Sequence, residues 1–151
     1  MINIFLHKQV KRLYQPKRKN CLFWIQKSLI KEYNLVSIDI LIVSKEQSLQ
    51  LNSKYRNRNS PTNVISLEYN ESRDKYNMLC GELILCDGII VDEAIDQNKD
   101  IMLHYAHMII HGVLHLQGLD HQNDEDANYM EQLEIDIMQQ CGFVNPYINY
   151  A

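Results

Sequence analysis

Cysteine is sparse and unpaired in this chain of 151 residues: the four, at positions 21, 80, 86 and 141, form no C-x-x-C pair. That spacing offers neither a cysteine metal knuckle nor a thioredoxin-type redox motif. No stretch approaches the roughly 20 apolar residues that a membrane span needs. No apolar run near Met1 resembles a signal peptide before the charges at Lys8, Lys11 and Arg12 intervene. These absences predict reduced thiols, a cytoplasmic setting and no membrane partner, with Cys80 and Cys86 serving as small buried hydrophobes. Repeats and low-complexity tracts are missing as well. With 46% hydrophobic residues the chain is long enough for one real core, so residues 1–151 are expected to form a single domain.

Acidic residues are missing from one end only. Residues 1–31 hold eight Lys or Arg and no Asp or Glu, whereas residues 32–151 hold seven basic and nineteen acidic residues, a balance of −12 within an overall −4. The basic stretch comprises Lys8, Lys11, Arg12, Lys17, Arg18, Lys19, Lys27 and Lys31, with Tyr14, Phe23 and Trp24 among them. It suits a phosphate backbone held through salt-sensitive counterion release. It also suits a solvated helix face whose aromatics anchor the core. The acidic remainder suits a protein contact.

Histidine, in contrast, is concentrated: five of the six lie between residues 104 and 121. His111 and His115 are four apart, and on a helix such a pair shares one face with Cβ atoms about 5 to 6 Å apart, so both imidazoles reach one ion. Gly118 then supplies the left-handed residue that ends a helix and turns His121 back toward the pair. Three protein ligands leave a fourth tetrahedral position open for water or substrate, the mark of a catalytic rather than a structural zinc site. His107 is expected either to support that site or to pack, and His104 to be structural. One residue is conspicuously absent. The spacing is that of the zinc-protease signature His-Glu-x-x-His-x-x-Gly-x-x-His, but Gly112 stands where the glutamate base would be. Glycine cannot take a proton, so peptidase chemistry is disfavoured while zinc-dependent hydrolysis is not.

The string from His111 to His121, His-Gly-Val-Leu-His-Leu-Gln-Gly-Leu-Asp-His, resembles the signature of the YbeY family, single-domain bacterial endoribonucleases of ribosomal RNA maturation. Leu51, Asn52, Tyr55 and Arg56, the run from Pro61 to Ser66, and the block Cys80-Gly81-Glu82-Leu83-Ile84 are similar to further family segments in the same order. Leu67 and Glu68 depart from the usual Phe and Pro, and Glu82 from Asp. The resemblance implies that His111, His115 and His121 bind one Zn2+ and that Arg56 faces the same cleft. It also implies single-strand-specific cleavage of ribosomal RNA near the 16S 3′ end, with ribosome-associated proteins as partners and no DNA specificity. An arginine there would meet the negative charge that builds on non-bridging oxygens. Arg58 lacks the match and is read as general phosphate attraction. Imidazole suits nickel as well as zinc. Two other readings stay open: a zinc peptidase or amide hydrolase with Glu82 or Asp120 as substitute base, and a non-catalytic ribosome-associated factor stiffened by its metal.

The patterning predicts an α+β domain, a small mixed sheet covered by helices. Strands are expected at 36–43, 63–69 and 82–86. Helices are expected at 21–33, 45–55 (with Leu49 against the neighbouring strand), 88–98, 101–117 and 124–140. The 21–33 helix would bury positions 22, 25, 29, 30 and 33. The last is capped by Asn123 and ended by Gly142. A polar loop through Asp74 is read as a flap.

Overall fold

The computed structural model describes residues 1–69 and 73–148. Four strands, β1 (Ile2–Lys8), β2 (Leu35–Val43), β3 (Val64–Glu68) and β4 (Met78–Cys86), form one sheet in the order β1-β2-β4-β3. β1, β2 and β4 run parallel, and the edge strand β3 is antiparallel to β4. Five helices pack around this sheet: α1 (Arg18–Ser28), α2 (Lys45–Arg56), α4 (Asp87–Asp96), α5 (Ile101–Leu116) and α6 (Asp124–Gln140); α3 (Arg73–Tyr76) is a single turn.

The centre of the molecule is α5. Apolar residues surround it, and twelve of its sixteen residues are buried, as expected of a helix enclosed on all sides. One side lies on β3 and β4, and the others meet α1, α4 and α6. The inward positions of the sheet, Ile4, Val36, Ile38, Ile40, Leu79, Leu83 and Leu85, complete the core beneath it. Two glycines let α5 come this close. A Cβ on Gly81 would lie 2.8 Å from the Leu116 side chain and 2.7 Å from the Leu67 carbonyl, and one on Gly112 would lie 2.7 Å from Leu83. The opposite sheet face carries a smaller apolar cluster of Val43, Ile65 and Ile84, joined by Leu51 of α2 rather than by the expected Leu49.

Several expectations need correction. β1 was not anticipated: Ile2, Ile4 and Leu6 alternate with Asn3, Phe5 and His7, and pairing with β2 from Ile2↔Val36 onward makes a strand of what reads as a basic terminal segment. α1 starts at Arg18 and stops at Ser28, not Tyr33, and its buried face is Cys21, Trp24, Ile25 and Ser28. The chain leaves the helix at the extended Leu29, and the Ile30 N–H donates to Gln117 Oε1 at 2.9 Å, so a tertiary hydrogen bond replaces further helical ones. β4 begins at Met78, four residues before the expected start, because it pairs with β2 along its whole length. α4 spans Asp87–Asp96 rather than 88–98. Cys86 is buried but Cys80 only partly so. The expected flap falls partly on residues 70–72, outside the described residues; its remainder includes α3. The last helix matches the expected bounds: Asn123 Oδ1 accepts from the Asp126 N–H at 2.8 Å, and Gly142 takes φ +91°.

Candidate metal centre

The C-terminal turn of α5 builds the site. His111 and His115 project from one face, and the helix ends in a Schellman motif, in which the Gly118 N–H donates to the His115 carbonyl at 2.9 Å and the Leu119 N–H to the Leu114 carbonyl at 3.2 Å. Gly118 has φ +95°, the left-handed conformation the motif requires. The reversed chain delivers His121, whose ring centroid lies 5.8 Å from His111 and 5.2 Å from His115. One ring nitrogen from each of the three falls within 4.8 Å of the others. A tetrahedral zinc with Zn–N distances of about 2.0–2.1 Å needs nitrogens roughly 3.3 Å apart, so small side-chain rotations suffice for one ion.

The donor chemistry fits too. Glu134 of α6, only 2% exposed, accepts from His111 Nδ1 at 2.9 Å and from His107 Nε2 at 2.8 Å through Oε1, and from the Tyr147 hydroxyl at 2.8 Å through Oε2. With the Nδ1 proton of His111 donated to a carboxylate, its Nε2 lone pair is directed outward and made more basic. Burial pushes the Glu134 carboxyl up, but the hydrogen bonds from His107 and His111 outweigh it and hold the group well below the usual glutamate range. His115 has no carboxylate within hydrogen-bond distance among the described residues; burial first, then the neighbouring His111 and His121, push its pKa down to about 4. It is a neutral imidazole at pH 7, the form that ligates metal.

The three histidines line a cleft of about 540 Å3, walled by the edge strand β3 through Val64, Ser66 and Leu67 and by the end of α2 through Tyr55 and Arg56. Arg56 is thus brought to the same cleft as the histidines, exposed at the last position of α2. The loop that follows is pinned from within α2. The Ser48 hydroxyl and Thr62 exchange hydrogen bonds of 3.1 and 3.0 Å, and Asn52 Nδ2 donates to the Ser60 carbonyl at 2.8 Å. Arg58, in that loop, is exposed and does not line the cleft. Asp120 lines it, its Oδ1 accepting from the His121 N–H at 2.7 Å. Glu82, the other substitute base of the amide-hydrolase reading, faces the opposite side of the sheet, where it accepts from the Tyr69 hydroxyl.

Gly112 explains why no glutamate occupies the second position of the motif. It is buried against the sheet, its carbonyl accepting from the Ser66 hydroxyl at 3.2 Å, and a side chain there would collide with Leu83. His104, expected to be structural, is buried with Nε2 on Glu93 Oε1 at 2.9 Å. Of the basic segment's aromatics, Trp24 is core, Tyr14 donates to Asp87, and Phe23 lies exposed beneath Lys27. Glu134 and Tyr147 were missed in the sequence. They lie 23 and 36 positions beyond His111, and a lone Glu on an acidic amphipathic helix carries no signal until α6 is docked on α5.

The chain matches the family model described as Endoribonuclease YbeY over residues 5–142. Among solved structures, the solution structure of TM1509 from Thermotoga maritima superposes with a TM-score of 0.57 at 24% identity, covering 93% of this chain and 89% of that one, so the two share a fold. The family match takes in β1 from Phe5, the whole cleft, the histidine turn and all of α6: the chain belongs to the YbeY endoribonuclease family, and with that membership comes a metal-dependent role in ribosomal RNA processing.

Proposed function

We propose that this protein is a single-strand-specific, zinc-dependent endoribonuclease acting in late maturation of the 16S rRNA 3′ end and in ribosome quality control, in the cytoplasm and beside ribosome-associated proteins. The observation that carries this is the convergence of three imidazole nitrogens in a cleft whose facing wall ends in Arg56. His111, His115 and His121 are the residues that would hold the ion. Zinc, when bound, supplies Lewis acidity and makes water ionise near neutral pH.

The chain's own groups account for the rest. Arg56 presents a planar, permanently charged fork to the non-bridging oxygens of a phosphodiester in the cleft, where charge builds as the bond breaks. Tyr55, 48% exposed beside it, offers a ring on which an unpaired base stacks, which favours single strands over duplex. Glu134 keeps His111 in one tautomer and one orientation. Outside the cleft, Lys11, Arg12, Lys17, Lys19, Lys27 and Lys31 are exposed and supply salt-sensitive attraction for the RNA backbone.

The test is elemental analysis of wild type and His115→Ala beside cleavage of a single-stranded RNA with and without chelator. About one zinc per wild-type chain, little in the variant, and cleavage that stops in chelator support the reading. Metal bound but cleavage indifferent to both chelator and substitution sinks it.

A further inference from the structure

Beside the cleft lies a second cavity, of about 300 Å3, which shares His111 and Asn63 with it. The two spaces therefore adjoin at a metal-binding histidine. One side of this chamber is aromatic: the His104 and His107 rings meet edge to face with centroids 6.2 Å apart, and His107 meets Tyr147 in the same way at 5.0 Å. The other side is polar and comes from the end of α4, with Glu93, Gln97 and Lys99.

These polar groups are not all consumed by the fold. Glu93 accepts from His104 and from Asn63 Nδ2, chiefly through Oε1, with Oε2 only 3.4 Å from the same amide. Neither the Gln97 amide nor the Lys99 ammonium has a hydrogen-bond partner among the described residues. The wall itself contains two buried ring nitrogens, Nδ1 of His104 and of His107, that also lack partners. A space with an aromatic wall, one acceptor, one donor and one amide able to do both is matched to a flat, neutral, hydrogen-bonding ligand.

The alternatives fit less well. A second metal ion lacks ligands: among the described residues the only group placed to hold one is His111, His115 and His121. A phosphate would meet the Glu93 carboxylate, which its hydrogen bond from His104 holds below the usual range and thus charged, against a single lysine. A nucleobase satisfies both sides at once. Because the chamber adjoins the cleft, the base closest at hand is that of the nucleotide flanking the phosphate under attack.

We propose that this chamber receives the base next to the cleaved phosphodiester, turned out of the strand, laid against His107 and Tyr147, and read along its edge by Glu93, Gln97 and Lys99. The inference rests on the endoribonuclease reading above. Recognition of splayed single-stranded bases by stacking and edge contacts is the common route to RNA sequence preference. The carboxylate accepts one N–H of the base edge, an exocyclic amine or a ring N–H, while Gln97 and Lys99 donate to the ring nitrogens or carbonyls beside it.

Free nucleosides test this without engaging the metal through a phosphate. The zinc-loaded protein is titrated with adenosine, cytidine, guanosine and uridine while the imidazole C–H resonances of His104 and His107 are followed by NMR. The nucleosides are expected to move these signals saturably, and methyl riboside, a ribose without a base, to leave them unmoved. Gln97→Ala and Lys99→Ala should each weaken binding about 3- to 10-fold, the worth of one hydrogen bond, with zinc content unchanged. The chamber is refuted if no nucleoside moves these signals, if methyl riboside moves them as well as the nucleosides do, or if both substitutions are silent. Cleavage of single-stranded RNA by the same preparation reports separately on the nuclease. Cleavage without nucleoside binding overturns the chamber alone. Nucleoside binding without cleavage overturns the nuclease and leaves a base-binding site.

Discussion

The histidines of α5 and its following turn fall into two sets that differ in their carboxylates. His104 and His107, in the first half of the helix, are buried and each places a ring nitrogen on a glutamate oxygen within 3 Å, Glu93 and Glu134 respectively. His115 and His121, at the end, face one another, and among the described residues their nearest acidic partner is Asp120, at 3.9 Å from the His121 ring. His111 belongs to both sets, Nδ1 on Glu134 and its ring in the cleft. The same side chain is thus an interior strut at His104 and His107, where the ring is buried against a carboxylate, and a candidate ligand where a ring nitrogen is left facing the cleft, as at His111, whose other nitrogen Glu134 holds. Histidine count alone does not find a candidate metal site; what marks it is ring nitrogens converging in an open cleft.

The largest effect should come from the unsupported set. His115→Ala removes a ligand that has no substitute, and bound zinc should fall by more than the ~100-fold that loss of a supporting carboxylate costs, read by elemental analysis after dialysis. Arg56→Ala leaves the histidines untouched; cleavage should drop on the order of 100-fold, as for loss of one transition-state donor, with zinc content unchanged. A rate within about twofold of wild type would end the phosphate-clamp idea. Glu134→Gln sits where the two sets meet. It should weaken zinc binding roughly 10- to 100-fold, whereas a purely structural Glu134 would alter melting but not metal affinity.

The same carboxylate predicts a pH dependence. Its folded-state pKa lies below the ordinary 4.5, so its contribution to stability is complete above that value and is lost as pH falls through the lower, folded value. Urea unfolding of metal-free protein should therefore show the gap between wild type and Glu134→Gln closing as pH drops below 4.5, and a gap that persists would mean the charge is not what the histidines hold. The smallest change is Gly112→Ala, which leaves every ligand in place but forces a Cβ against Leu83. About 1–3 kcal/mol of stability should be lost by overpacking, with zinc affinity nearly intact once the protein is folded.

The convergence of His111, His115 and His121 was readable from sequence because all three residues lie within one helix and the turn that follows it, where spacing is geometry. Gly118 and Gly142 were readable for the same reason, since each occupies the C′ position of a Schellman motif. What escaped depends on contacts distant in sequence. β1 becomes a strand only by pairing with β2, more than thirty residues away, and its lysine-rich surroundings point elsewhere. α1 ends early because of Gln117, 87 residues from the Ile30 it holds. Glu134, Tyr147 and the polar end of α4 have ordinary surface signatures and acquire meaning only when α4 and α6 flank α5.

Gly112 bears on how this scaffold could be re-engineered. A protease designer would see a histidine motif one residue short of a peptidase and be tempted to restore the glutamate. The space for that side chain is already taken by Leu83, which is fully buried, and by the Ser66 hydroxyl. Changing the chemistry would first require making room in the sheet beneath the helix, at Leu83 and Ser66 together. The two catalytic trades, close in sequence space, are separated by a barrier of packing.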